Sequence, residues 1–107
     1  MNSEQFEKIL YARMQKMEMM LATKAREYAK EGDRLHNFNQ AAKFQNITPD
    51  QAAWNFLVKH LVSLQDMIMG GGAYSQAQWD EKIGDSMNYL VLIEAIVSQR
   101  FPRDTVH

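Results

Sequence analysis

Apolar residues recur at helical spacing along most of the chain, and no stretch alternates apolar and polar positions for long enough to predict a strand. Ser3 reads as an N-cap, with Glu4 and Glu7 in the first turn where carboxylates favour the helix dipole. Phe6, Leu10, Met14, Met17, Leu21 and Tyr28 then form one stripe, and Gly32 stands where a left-handed cap would end the helix. Asp33 to Phe44 reads as a shorter helix or a structured turn leading into one, closed by Asn46. Thr48-Pro49-Asp50-Gln51 is a capping box with proline at the first helical position. It predicts a helix from Pro49 to about Met69 that buries Trp54, Leu57, Val58, Leu61, Leu64 and Ile68 and turns Asn55, Lys59 and Asp66 away.

Gly70-Gly71-Gly72 breaks that helix into a flexible loop. Ser75 and Gln78 make a second capping box, which predicts a last helix from Gln76 to about Arg100, with Phe101-Pro102 as its stop and Arg103 to His107 as a frayed tail. Trp79, Ile83, Met87, Leu90, Ile93 and Val97 share one face of this helix, and Glu81, Asp85 and Asn88 share another. After Tyr89 it is apolar on nearly every side, the mark of a central helix. The expectation is a single all-α domain over 1–107, an up-and-down bundle of three main helices plus one short helix.

Composition narrows the functional classes. A chain of 107 residues, 46% hydrophobic, can bury one modest core. Twelve basic against 13 acidic residues leave a net charge of -1, which gives no general electrostatic basis for binding nucleic acid. Glu4, Glu7 and Lys8 argue against a signal peptide, and no apolar run approaches the ~20 residues of a spanning helix. A cytoplasmic protein with no membrane partner is expected. Without cysteine, a metal would be held by oxygen and imidazole ligands, which favours magnesium or manganese over structural zinc.

Two acidic pairs, Glu27 with Glu31 and Glu81 with Asp85, sit four residues apart on separate helices. Carboxylates from facing helices can converge on a divalent ion that offsets their repulsion, though ordinary solvated charge gives the same spacing. Lys24, Glu27 and Glu31 prolong the apolar stripe of the first helix, which there either leaves the core for solvent or enters a polar pocket. His60, beside Lys59 on a mostly apolar helix, is either a hydrogen-bonded core residue or a contact for phosphate or base. Arg34, His36 and Asn37 fill a polar turn open to solvent or to a ligand, and Asn88 shares the face of Glu81 and Asp85. The eight methionines read as soft core filler, but Met19 and Tyr11 face off the stripe, where a second subunit could contact them.

Three blocks, EYAKEGDRLHNF at Glu27–Phe38, KHLVSLQD at Lys59–Asp66 and WDEKIGDSMNYL at Trp79–Leu90, resemble small phage and prophage proteins. The last block also resembles the acidic helix of the all-α nucleoside triphosphate pyrophosphohydrolases, the MazG and dimeric dUTPase-like superfamily. That resemblance implies a helical homo-oligomer that holds magnesium between carboxylates while water splits a nucleotide between its α and β phosphates. Glu81 and Asp85 then match the acidic helix, and Glu27 with Glu31 the preceding pair; Lys59, His60 or Arg34 would neutralise phosphate. Lys82 stands where the superfamily often has a second glutamate, and the earlier pair is one residue wider than usual. A lost ligand weakens metal affinity, which leaves nucleotide binding without hydrolysis as one outcome. The alternative is a non-enzymatic phage accessory protein that binds a host protein or sequesters a nucleotide signal.

Overall fold

The computed structural model describes residues 1–28 and 32–101, and the side chains of these except 24–28. The side chains of Lys24, Glu27 and Tyr28, Glu31 altogether, Pro102 of the expected stop and the expected tail from Arg103 to His107 therefore fall outside the described set. Four helices follow in order: α1 Ser3–Tyr28, α2 His36–Gln45, α3 Pro49–Gly70 and α4 Gln76–Ser98. Among the described residues there is no extended sheet, and the fold is an all-α bundle. No described helix is long and apolar enough to cross a membrane.

Local chemistry sets the helix starts. Thr48 Oγ1 accepts from the Gln51 amide while Gln51 Oε1 accepts from the Thr48 amide, and Ser75 and Gln78 repeat the arrangement. The first start differs from the expectation by one residue. Asn2, not Ser3, is the cap: its Oδ1 accepts from the Gln5 amide at 2.8 Å, and Gln5 Oε1 accepts from the Asn2 amide at 2.9 Å. The Asn-x-x-Gln spacing supplies both halves of a box, which Ser3 lacks. Asp33 builds the turn into α2, its two carboxylate oxygens accepting from the Leu35 amide and the Asn39 side chain. Asn46 closes α2 in the left-handed conformation, and Gly71 closes α3 with φ +66°.

The helices pack as α2 on α3, α3 on α4 and α4 on α1. Arg100, just past the end of α4, donates to Asp50 in the first turn of α3 at 2.8 Å, so these two run antiparallel. Arg13 and Lys16 of α1 meet Asp80 near the start of α4, while Met20 and Leu21 lie level with Asp85 and Asn88. Hence α1 and α4 run parallel, giving the up, down, up course of a three-helix bundle with α2 as a short insert. A Cβ at position 84 would lie 2.6 Å from Arg13 Nη1, so Gly84 is what lets that guanidinium lie across α4.

Burial departs from the periodicity in α3 and α4. On α3 the buried positions are Ala52, Ala53, Leu57 and Met67, whereas Trp54 and Ile68 of the expected core face are exposed. The helix is turned so that its small residues face inward with Leu57: alanine lets two backbones approach closely, Val58 and Leu64 of the expected face are half-buried, and Trp54, Leu61 and Ile68 are left outside. On α4, Gly84, Ser86, Asn88 and Ile96 are buried on several sides, as befits a central helix, but Ile83 and Leu90 look outward. The compact apolar cluster joins Leu35, Ala53 and Ile96, with Phe38, Leu92 and Ile93 packed on it.

The Thr48 hydroxyl and the Arg100 guanidinium hold the Asp50 carboxyl down at about 2, from an ordinary 3.8, against a smaller opposing effect of burial. A depressed folded-state value contributes stability that is fully present above pH 3.8 and is lost as pH falls through 2. Arg100→Gln should cost up to about 1 kcal/mol at pH 6, read from urea unfolding midpoints, and the gap to the wild type should close between pH 4 and pH 2. A gap that does not change with pH would show that the pair contributes nothing through Asp50.

Candidate functional site

The rotation of α3 and α4 places chemistry, not aliphatic packing, where they meet α1 and α2. Phe56 and His60 stand one turn apart on the inward side of α3, and Asp85, Asn88 and Tyr89 do so on α4. Together with Arg34, Asn37 and Phe38 from the α2 end and Met20 and Leu21 from α1, they enclose a cavity of about 390 Å³. That volume lies within the range of small-molecule pockets, roughly 300–1,000 Å³.

One wall is aromatic. Tyr89 is stacked with His60 at 5.2 Å and 26° and with Phe56 at 6.2 Å and 12°, and Phe38 meets both Phe56 and Tyr89 edge-on at 6.1 and 6.4 Å. The quadrupoles of such rings favour these offset and edge geometries. His60 Nδ1 lies 3.6 Å from Asp85 Oδ2, an ion pair whenever the imidazole is protonated but too long for a hydrogen bond. His60 is thus a half-buried ring held by stacking, and the hydrogen bond expected of a core histidine is not formed with the described residues.

The opposite demand comes from Asn88. The residue is 9% exposed, and its Oδ1 is buried with no hydrogen-bond partner among the described residues. An unsatisfied buried polar atom costs about 1–3 kcal/mol, so the position is unfavourable until something donates to it. Asn88 lines this cavity and also a second, more open hollow of about 560 Å³ between α1 and α4, which Glu81, Asp85, Arg13, Lys16 and Met20 border.

Five of the residues singled out from the sequence, Arg34, Asn37, His60, Asp85 and Asn88, therefore meet at one cavity. His36 and Lys59 are off its lining, and Glu81 borders only the open hollow. The side chain of Glu27, and Glu31 altogether, lie outside the described set. Among the described residues no three of histidine, aspartate and glutamate gather as a metal-binding group. Asp80 is committed elsewhere: Lys16, through its hydrogen bond at 2.8 Å, and Arg13 at 3.3 Å lower its pKa. Phe38 and Phe56 were not singled out from the sequence, where an apolar ring at helical spacing does not differ from core filling. The i to i+4 pairs Phe56/His60 and Asp85/Tyr89 were the available signal, because each stacks an aromatic and a titratable group on one face.

No protein-family model matches the chain, and neither the curated proteins nor the solved structures contain a match.

If Asn88 awaits a ligand, removing its amide should relieve the fold. Asn88→Leu, of similar shape, should raise the unfolding free energy by about 1 kcal/mol in the ligand-free protein, measured by urea denaturation. A loss of similar size would mean that the amide is satisfied and structural.

Proposed function

We propose that this protein binds a nucleotide, with the base in the cavity walled by Phe38, Phe56 and Tyr89. The observation that carries this reading is Asn88, a buried amide oxygen without a partner among the described residues, beside an aromatic wall. A nucleobase answers both features, since it is planar, stacks on aromatic rings for about 1–3 kcal/mol and offers ring or exocyclic N–H donors along its edge. Asn88 Oδ1 accepts from that edge, and Asp85 accepts from a second amino group or a ribose hydroxyl. Arg34, exposed at the cavity, faces the phosphates. A plain apolar metabolite would leave Asn88 and Asp85 desolvated and unpaired, which is why a polar, planar ligand is favoured.

Hydrolysis is the further part of the proposal. Glu81 and Asp85, with Glu27 and Glu31, are the residues that would hold magnesium or manganese, and the ion would supply Lewis-acid activation of water for pyrophosphohydrolysis of a nucleoside triphosphate. The described residues provide two of those four carboxylates, so they support recognition more directly than turnover. The proposal takes the protein to be cytoplasmic and a homo-oligomer.

Calorimetry of the four common ribonucleoside and deoxyribonucleoside triphosphates, with and without magnesium, tests both parts. Binding to the wild type should weaken at least about tenfold, or 1.4 kcal/mol, in Asn88→Leu. Asp85→Asn should abolish any magnesium dependence while leaving the helical circular dichroism intact. Absence of heat from every nucleotide, with folded protein and magnesium present, would overturn the nucleotide reading. Unchanged metal dependence in Asp85→Asn would overturn the metal assignment alone.

A further inference from the structure

We infer that the base taken into the cavity is guanine, read along its Watson–Crick edge by Asp85 and Asn88. The inference rests on the nucleotide reading above and concerns which base that site selects. Asp85 and Asn88 stand three residues apart on the face of α4 that lines the cavity. That spacing sets their Cβ atoms about 5–6 Å apart, close enough for two side-chain oxygens to converge on one base edge. What the pair presents is acceptor capacity. Asn88 Oδ1 is buried and takes no hydrogen bond from the described residues. Asp85 Oδ2 is turned to His60 at 3.6 Å, beyond hydrogen-bond reach, and no described residue donates to the carboxylate.

The bases differ in what they bring to two neighbouring acceptors. Adenine and cytosine each carry one amino group with a lone-pair ring nitrogen beside it, so the second acceptor would face an acceptor. Uracil and thymine carry one N–H between two carbonyl oxygens, with the same result. Guanine alone has two adjacent donors on one edge, N1–H and the N2 amino group. The amino group projects furthest from the ring and donates to the buried Asn88 Oδ1, while N1–H donates to Asp85 Oδ2. O6 ends the edge as an acceptor, and Asn37, which lines the cavity from α2, carries an amide that can donate to it. Every other base leaves at least one of the two oxygens desolvated and unpaired, which costs affinity. The second Asp85 oxygen stays available to a metal ion, so base reading and metal binding do not compete for one atom.

Calorimetry in magnesium-free buffer, which also prevents turnover, tests the assignment with the triphosphates of guanosine, adenosine, cytidine, uridine, inosine and 2-aminopurine riboside. Guanosine triphosphate should bind most tightly and each of the others at least about tenfold more weakly, since inosine lacks the amino group and 2-aminopurine lacks N1–H. The 7-deaza analogue of guanosine triphosphate, altered only on the opposite edge, should bind like the parent. In Asn88→Leu the guanosine and inosine nucleotides should bind equally, because the acceptor that tells them apart is gone. The analogue series is read on the wild type and does not depend on that variant folding. Inosine triphosphate as tight as guanosine triphosphate, tighter binding of any other base, or a loss with the 7-deaza analogue would overturn the guanine assignment and leave the nucleotide reading standing. A guanosine preference over inosine that survives in Asn88→Leu would overturn the role of Asn88. Absence of heat from every nucleotide, with magnesium restored, would remove the nucleotide reading and this inference with it.

Discussion

Everything in this bundle depends on how closely α3 and α4 approach. Ala52, Ala53 and Leu57 are fully buried on α3, and Ala53 shares a cluster with Ile96 of α4 and Leu35 at the mouth of α2. Small side chains at that seam bring the helices together near the start of α3, and the Arg100–Asp50 pair pins the same end. Further along the pair, Phe56 and His60 on one side and Asp85, Asn88 and Tyr89 on the other stand in the space between the helices and their neighbours. The cavity is thus a product of the seam: the residues that close the helices at one end hold larger groups in fixed opposition at the other.

Helix starts and stops were legible because they are local. A capping box needs only residues three apart, and Thr48/Gln51 and Ser75/Gln78 fold as their spacing demands. Asn2 shows the resolution of that reading, since the same chemistry was present one residue earlier with the better partner in Gln5. Which face of a helix is buried was less legible. Trp54, Leu61 and Ile68, seven apart, and Ile83 with Leu90, also seven apart, are the strongest apolar stripes of α3 and α4, yet the single chain turns them outward. Periodicity reports that a face is to be covered and does not say by which molecule.

The candidate site was legible in composition more than in geometry. Arg34, Asn37, His60, Asp85 and Asn88 stood out as polar or titratable groups on otherwise apolar helices, and packing brought them to one place. The role of the aromatic residues was not legible, because a phenylalanine at helical spacing has the same pattern whether it fills a core or walls a pocket. Nor was the pairing of Asp80 with Arg13 and Lys16, which are more than sixty residues away in the chain; an acidic residue beside Glu81 reads as part of an acidic cluster until a partner from another helix claims it.

That claim changes what kind of wall α1 is. The helix that supplies Met20 and Leu21 to the cavity is held to α4 by one carboxylate shared between two cations, and Gly84 leaves room for the guanidinium without adding apolar contact of its own. Apolar seams are nearly indifferent to ionic strength, whereas exposed charge pairs are screened over about 8 Å in physiological salt and over about 3 Å at 1 M. Of the two cations on Asp80, Lys16 is half exposed and open to that screening, whereas Arg13, tucked against Gly84, is largely shielded from it. Salt therefore weakens one half of the α1 clasp and leaves the other half in place.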